Sequence, residues 1–279
     1  MPLFITSLNS GSNGNCYFIG NDQEAVLVDV GISCREIERR MFRLGLSMNI
    51  VKAIFISHEH ADHIRGVVVL ARKYQLPVYI TPSTLKSSPI SLEKELVRFF
   101  TAHQPITIGG LSVTAFLKLH DASEPHSFIV EGSGVKIGVF TDIGTPCEQL
   151  IHYFKQCNAA FLEANYDDTM LEKGRYPYSL KKRITGGKGH LSNKQALDLF
   201  IQHQHVFMTH LILSHLSQDN NCPQLVYNLF RKHANRDINV VVASRFQETS
   251  LYTVRNNSFK DPINGITAFS KQASQMTLF

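Results

Sequence analysis

Ala53-Ile54-Phe55-Ile56-Ser57-His58-Glu59-His60-Ala61-Asp62-His63 decides how this chain folds. Residues 53–57 have the apolar, β-branched and aromatic composition of a buried strand, and His58, His60, Asp62 and His63 crowd its C-terminal exit. In extended chain, residues two apart point the same way, so His58 and His60 converge on one cation. Past the bend, Asp62 and His63 face a second. Later strands supply the ligands that two half-sites still lack. The run from 111 to 119 ends at His120, that from 135 to 141 at Asp142, and that from 206 to 214 at His215. Ligands at strand ends share one edge of a sheet layer. Asp142 is the expected bridge, because one carboxylate offers an oxygen to each of two cations. Two cations about 3.5–4 Å apart would hold a hydroxide and stabilise both attacking and leaving oxygens. Histidines and carboxylates without thiolate suit two divalent metal ions, Zn or Mn alike. His210 lies five residues before His215, which puts it on the opposite face of a regular strand, and it is expected to be structural.

Working outward, apolar runs rich in Val, Ile and Phe alternate with amphipathic stretches, each run closing on Gly, Asn, Asp or His. Strands are expected near 3–8, 16–19, 25–29, 53–57, 77–81, 111–119, 126–131, 135–141, 158–162, 206–214, 238–243 and 249–254. Helices fit 33–44, opened by a capping box at Ser33 and Glu36, and 64–74, 146–156 and 222–233. Another fits 192–204, where Ser192 and Gln195 repeat the cap spacing. Hairpins mixed with β-α units predict a layered α+β fold. One domain is expected over residues 1–254, with residues 255–279, which lose all periodicity, as a flexible tail.

Composition narrows the function class. At 279 residues and 43% hydrophobic the chain is long enough to bury a sizeable core, which excludes disorder for its bulk. The longest apolar blocks, such as 67–71 and 240–243, fall far short of the roughly 18–20 residues that span a bilayer. The first residues, Met-Pro-Leu-Phe-Ile-Thr, carry no basic segment and run into a strand, so no signal peptide is expected. Five cysteines, with no C-x-x-C pair, argue against a disulfide framework and for a reducing, cytoplasmic setting. The net charge of +5 favours an anionic substrate modestly. Of the thirteen histidines, His152, His203, His205 and His233 read as ordinary surface residues.

Three further segments carry candidate substrate contacts. Ser10-Gly11-Ser12-Asn13-Gly14-Asn15 is either a plain hairpin turn or a loop whose backbone N–H groups approach an anion, with Ser12, Asn13 and Asn15 presented to it. Residues 173–188 carry Lys173, Arg175, Lys181, Lys182, Arg183 and Lys188 with no acid, interleaved with Tyr176 and Tyr178. That is either a solvated face or a surface for a phosphate backbone and stacked bases. Gly189-His190-Leu191-Ser192-Asn193 sets His190 beside a helix N-terminus, where a phosphate oxygen is welcome.

The H-x-H-x-D-H run with its later ligands resembles the metallo-β-lactamase superfamily, from the N-terminus to about residue 245. The resemblance implies an αββα sandwich with metals at one edge of the two sheets, and it adds Asp29, in Val28-Asp29-Val30-Gly31, as a buried carboxylate supporting the ligand loop. Within the superfamily several segments are similar to the YycJ/WalJ group, a bacterial branch regarded as DNA exonucleases. They are Ser10 to Asn15, His120-Asp121-Ala122 with Glu124-Pro125, Thr141-Asp142-Ile143-Gly144, Gly189 to Asn193, and Ser214-His215-Leu216-Ser217 with Asn220-Asn221. The chain departs from the pattern at Glu163-Ala164-Asn165-Tyr166-Asp167, where Tyr166 occupies a position expected to hold histidine.

What the resemblance implies is a metal-dependent exonuclease cutting DNA from a 5′ end, in repair or replication. His58, His60 and His120 would hold one ion, and Asp62, His63 and His215 the other, with Asp142 bridging. Asp62, Asp142 and His190 would be catalytic, and Ser12, Asn13, Asn15, Lys181, Arg183, His190 and Asn221 would hold the strand. The last residues, Gln275-Met276-Thr277-Leu278-Phe279, are similar to a bacterial sliding-clamp-binding motif, with Gln275, Leu278 and Phe279 as the docking residues. Two rival readings remain open. A small-molecule hydrolase acting on a thioester or lactone calls for an enclosed apolar pocket, and a non-cutting DNA-end binder calls for a missing ligand.

Overall fold

Three strands open the chain, β1 (Leu3–Asn9), β2 (Cys16–Gly20) and β3 (Ala25–Val28), paired antiparallel as consecutive hairpins. In the computed structural model, which describes residues 1–256, β4 (Val51–Phe55) then adds parallel to β3 after α1 (Cys34–Arg43). Beyond it lie α2 (Ala61–Ile64), α3 (Val67–Tyr74), β5 (Val78–Tyr79), α4 (Pro82–Ser87) and β6 (Val97–Arg98). The second sheet is built from β7 (Ile106–Ile108), β8 (Leu111–Leu117), β9 (His126–Gly132), β10 (Val135–Phe140) and, after α5 (Glu148–Phe154), β11 (Ala159–Glu163). The helices α6 (Asp168–Lys173), α7 (Tyr178–Thr185) and α8 (Asn193–His203) precede β12 (His210–Ser214), and α9 (Pro223–His233) leads to β13 (Asn239–Val242). The last strand, β14 (Tyr252–Val254), returns to pair with β1.

The two sheets run β14-β1-β2-β3-β4-β5-β6 and β13-β12-β11-β10-β9-β8-β7. Strand alternation sorts their side chains into three layers. Val26, Val28 and Phe55 of the first sheet meet Phe128, Val139 and Phe161 of the second in the central core. Leu27 and Ile54 point outward beneath Ile37, Met41 and Leu70 of α1 and α3. Phe140 and Leu162 point outward beneath Phe154, Phe200 and Phe230 of α5, α8 and α9. Burial on both faces explains why these strands read as nearly continuous apolar runs. The layering is the expected αββα sandwich.

Local departures have physical causes. Ser33 caps α1 by accepting from the Glu36 N–H at 3.3 Å, but the Glu36 carboxylate turns to Arg39 and Arg40 rather than closing a box. Ser192 and Gln195 do close theirs. The helix expected over 64–74 splits at Gly66, which passes so close to the Ile32 carbonyl that a Cβ would lie 2.0 Å from it. The strand expected from 206 begins only at His210, because Val206 is 85% exposed and residues 206–209 turn. Likewise 249–254 shortens to β14. The two- and three-residue strands β6 and β7 and the short helices α4 and α6 carry too few residues to show a period. All five cysteines are free. No helix among the described residues is long and apolar enough to cross a membrane. The expected tail falls, apart from Arg255 and Asn256, outside the described residues.

Candidate metal centre

Topology alone gathers the chemistry at one edge. β3 and β4 are parallel, as are β10, β11 and β12, and β8 reaches the same direction through the antiparallel β9. Their C-terminal ends therefore deliver Asp29, His58 to His63, His120, Asp142, Glu163 and His215 to one place. Three of these, Asp29, Asp142 and His215, hold left-handed backbone at φ 60, 56 and 56. Such conformations cost a non-glycine residue roughly 1–3 kcal/mol and mark turns that the surrounding structure over-determines.

The ligand atoms fall into overlapping groups. His58, His60 and His120 form one, with the His58 Nε2 and His60 Nδ1 atoms 3.1 Å apart. Asp62, His63 and His215 form another, in which Asp62 Oδ2 stands 3.5 Å from each Nε2. Asp142 lies between them, its Oδ2 3.2 Å from His63 Nε2 and its Oδ1 3.5 Å from His215 Nε2 and 3.9 Å from His120 Nε2.

Hydrogen bonds behind the rings decide which nitrogen faces inward. The Ser57 hydroxyl donates to Asp29 Oδ2 at 2.8 Å, which leaves its oxygen to accept from His58 Nδ1 at 2.8 Å. His63 Nδ1 donates to Asp29 Oδ2 at 2.7 Å, His120 Nδ1 to the Gly189 carbonyl at 3.1 Å, and His215 Nδ1 to Glu163 Oε1 at 3.1 Å. Each of these four rings thus turns its Nε2 toward the cluster, the arrangement that outer carboxylates and carbonyls impose on metal-binding histidines.

Electrostatics and unsatisfied atoms agree with a cation site. His120 Nε2, His215 Nε2 and Asp142 Oδ2 are buried without a hydrogen bond among the described residues. Buried polar atoms are otherwise nearly always paired, so three that face one another fit an ion. Burial disfavours charge on His63, yet the carboxylates of Asp142, Asp29 and Asp62 outweigh it and hold the pKa well above the usual imidazole range. His215, likewise buried, is raised to about 10 by Asp142, Asp62 and Glu163. His58 and His120 go the other way, burial dominating, His120 to about 4. Despite its burial, Asp142 is held well below the carboxylate range by His215 and His63.

The remaining sequence candidates differ in how they relate to the cluster. The 10–15 loop locks into the ligand loop where the Asn15 N–H donates to the Asp62 carbonyl at 2.7 Å and the Gly31 N–H to the Asn15 carbonyl at 2.8 Å. Gly31 admits no side chain there, since a Cβ would stand 1.7 Å from that Asp62 oxygen. Asn15 Nδ2 sits 3.3 Å from Asp62 Oδ2 and 3.1 Å from His63 Nε2. Backbone N–H groups of Ser10, Gly11, Gly14 and Asn15 are spent within the protein, and the Asn13 amide donates to the Arg245 carbonyl at 3.0 Å and accepts from Asn9 at 3.4 Å. Arg183 donates to Asp121, whose Oδ1 is 3.4 Å from His120 Nε2, which ties α7 to the cluster's rim. Lys181 donates to the Glu172 carbonyl at 2.7 Å. His190 is half-buried between the rings of His120 and His215. Asn221 is buried with its amide engaged by the Ala164 and Asn165 carbonyls and by Asn193, which makes it a tie between loops in this structure. His210 lies at the far end of β12, against Thr209 and Tyr252.

Sequence reasoning missed three supporting residues. Glu163, fully buried, accepts from His190 Nδ1 at 2.7 Å and from the Ile143 N–H at 2.6 Å besides His215, and His190 with His215 holds its carboxyl down at about 2 against its burial. Its position at the end of β11 was the available signal. Ser57 joins Asp29 to two ligands. Lys118 is buried two residues before His120 and donates to the Thr141 carbonyl at 2.7 Å, bracing the turn into Asp142.

Comparison with known proteins bears on this arrangement. The description of the beta-lactamase superfamily domain matches residues 24–215. An exodeoxyribonuclease, YycJ, of Bacillus anthracis is 36% identical over 81% of this chain and 86% of its own length. The exodeoxyribonuclease WalJ of Streptococcus pneumoniae is 29% identical over 87% of this chain and 93% of its own. The crystal structure of the metallo-β-lactamase fold protein YhfI from Bacillus subtilis superposes with a TM-score of 0.70 at 15% identity, covering 90% of this chain and 99% of that one. With its sandwich and its strand-end histidines and carboxylates, the chain belongs to the beta-lactamase superfamily, as a metal-dependent hydrolase.

Proposed function

We propose that this protein is a DNA exonuclease that uses two divalent ions, Zn or Mn, to cut phosphodiester bonds from a 5′ end during repair or replication. The observation that carries the reading is the convergence of two ligand groups on Asp142, beside a rim tied to the basic helix α7. The exodeoxyribonuclease relatives, which match most of the chain, supply the substrate class.

His58, His60 and His120 would hold one ion and Asp62, His63 and His215 the other, with Asp142 shared. When bound, such ions activate water and neutralise charge on a phosphate. The protein's own groups do the rest. Asp29 and Glu163 fix the tautomers of His63 and His215. His190, its Nδ1 held by Glu163, keeps Nε2 to bind a phosphate oxygen and to pass a proton to the leaving oxygen. Ser12, Asn13 and Asn15 of the first loop, and Lys181 and Arg183 of α7, would orient the strand. Asn221 serves indirectly, through the loops it joins. A cytoplasmic setting suits the five free thiols.

DNA and RNA labelled at either end test the reading. Release of the 5′ label as a mononucleotide from DNA, ahead of any 3′ label, is expected with Mn or Zn. Release of the 3′ label first contradicts the polarity, and no cutting of any nucleic acid moves the assignment to a small-molecule hydrolase. We also propose that Gln275, Leu278 and Phe279, outside the described residues, dock on the replication sliding clamp. Deleting residues 275–279 should abolish clamp binding in surface plasmon resonance without changing turnover on short oligonucleotides, and unchanged clamp affinity refutes the docking role.

A further inference from the structure

Two short helices, α6 and α7, line an open cavity of about 410 Å³ that contains none of the candidate metal ligands. Asp168 and Glu172 stand at i and i+4 on α6, and Tyr178, Lys181 and Lys182 at i, i+3 and i+4 on α7, so each set shares one face, and both faces line the cavity. Tyr166 supplies a further wall. The volume lies within the roughly 300–1,000 Å³ of small-molecule sites. Core packing does not account for α7, which has no buried residue and holds the Tyr178 ring 81% exposed. Tyr166 is 3% exposed, burial raises its phenol to about 12, and its hydroxyl makes no hydrogen bond among the described residues.

The lining chooses among ligands. Two carboxylates offset two lysines, which is a poor receptor for phosphate alone. Two tyrosine rings with carboxylate acceptors suit a flat heterocycle carrying N–H donors. The cavity also adjoins the reacting edge. Tyr166 lies three residues beyond Glu163, roughly 10 Å of extended chain, and its carbonyl accepts from the Asn193 N–H at 2.7 Å, three residues from His190. We infer that this cavity takes the splayed nucleobase of an unpaired nucleotide next to the scissile phosphate, with Tyr178 stacking on it and Asp168 and Glu172 accepting from an exocyclic amine. Adenine, cytosine and guanine carry that amine and thymine does not. The inference rests on the nuclease reading and deepens it: the nucleotide beside the scissile phosphate is unpaired where it is cut.

The test uses the full chain carrying Asp142→Asn, so that binding is read without cutting, and single-stranded DNA labelled at the 3′ end. An abasic site at one of the first three 5′ positions should weaken binding about tenfold or more, the worth of one stacked base. In a Tyr178→Ala background the intact strand should lose the same factor and the abasic site add nothing. Tyr178 is exposed, so this variant folds. Thymine at that position should bind more weakly than adenine, a difference that Asp168→Asn with Glu172→Gln removes. An abasic penalty equal in both backgrounds overturns the base pocket. Cleavage by the unsubstituted enzyme, measured in parallel, is untouched by that result, and its absence overturns the nuclease reading instead.

Discussion

Asp142→Asn should lower the rate of phosphodiester cleavage by about a thousandfold or more while the protein still folds. The size of the effect follows from position. Among the described residues Asp142 is the one carboxylate within ion-pair distance of His63, His120 and His215 together, so its loss strips an acceptor from both ligand groups at once. Asparagine is the informative replacement, because it tolerates the left-handed backbone at φ 56, where alanine would add strain. Neither hydrophobic layer nor the central core runs through this residue. Cleavage of labelled DNA, beside circular dichroism and a thermal melt, checks the outcome. Near wild-type rates in a folded variant would contradict the shared-ligand role.

Asp29→Asn should weaken metal binding by about 10–100-fold and leave activity recoverable with excess metal. Asp29 touches no substrate. Its Oδ2 accepts from His63 Nδ1 and the Ser57 hydroxyl, and its Oδ1 from the Ser57 N–H at 2.8 Å, so it sets the ring angle of one ligand directly and of His58 through Ser57. An amide in its place offers one acceptor oxygen and turns an N–H₂ toward groups that already donate. Titration with Mn or Zn, following both bound metal and cleavage, separates the two variants. Asp29→Asn recovers at high metal and Asp142→Asn does not. A variant at Asp29 with unchanged affinity would remove the support role.

How much of this was legible depended on signal length. H-x-H-x-D-H was readable because its residues are adjacent and leave a five-residue apolar strand. His120, Asp142 and His215 were readable because each closes a strand, and parallel pairing turns strand ends into one edge. Glu163 closes β11 in the same way, but a lone glutamate at a strand end carries no ligand pattern until folding brings His190 and His215 to it. Lys118 and Ser57 were hidden because a lysine or serine in a strand signals nothing until its partner, the Thr141 carbonyl or Asp29, is brought close by folding. The basic run 173–188 masked α7, whose period lies in Tyr178, Lys181 and Lys182 rather than in apolar residues. The apolar run Val206-Phe207-Met208 overstated β12, since only Met208 of the three is buried. Asn221 looked like a substrate contact by motif, and only the loops around it show where its amide goes.

The most direct measurement is metal content against cleavage in a single preparation, by elemental analysis of the full chain as Zn or Mn is titrated in. Cleavage of 5′-labelled DNA should rise as binding approaches about two ions per chain and vanish on chelation. Metal-independent cleavage, or a chain that binds both ions and cuts no phosphodiester, would contradict the account.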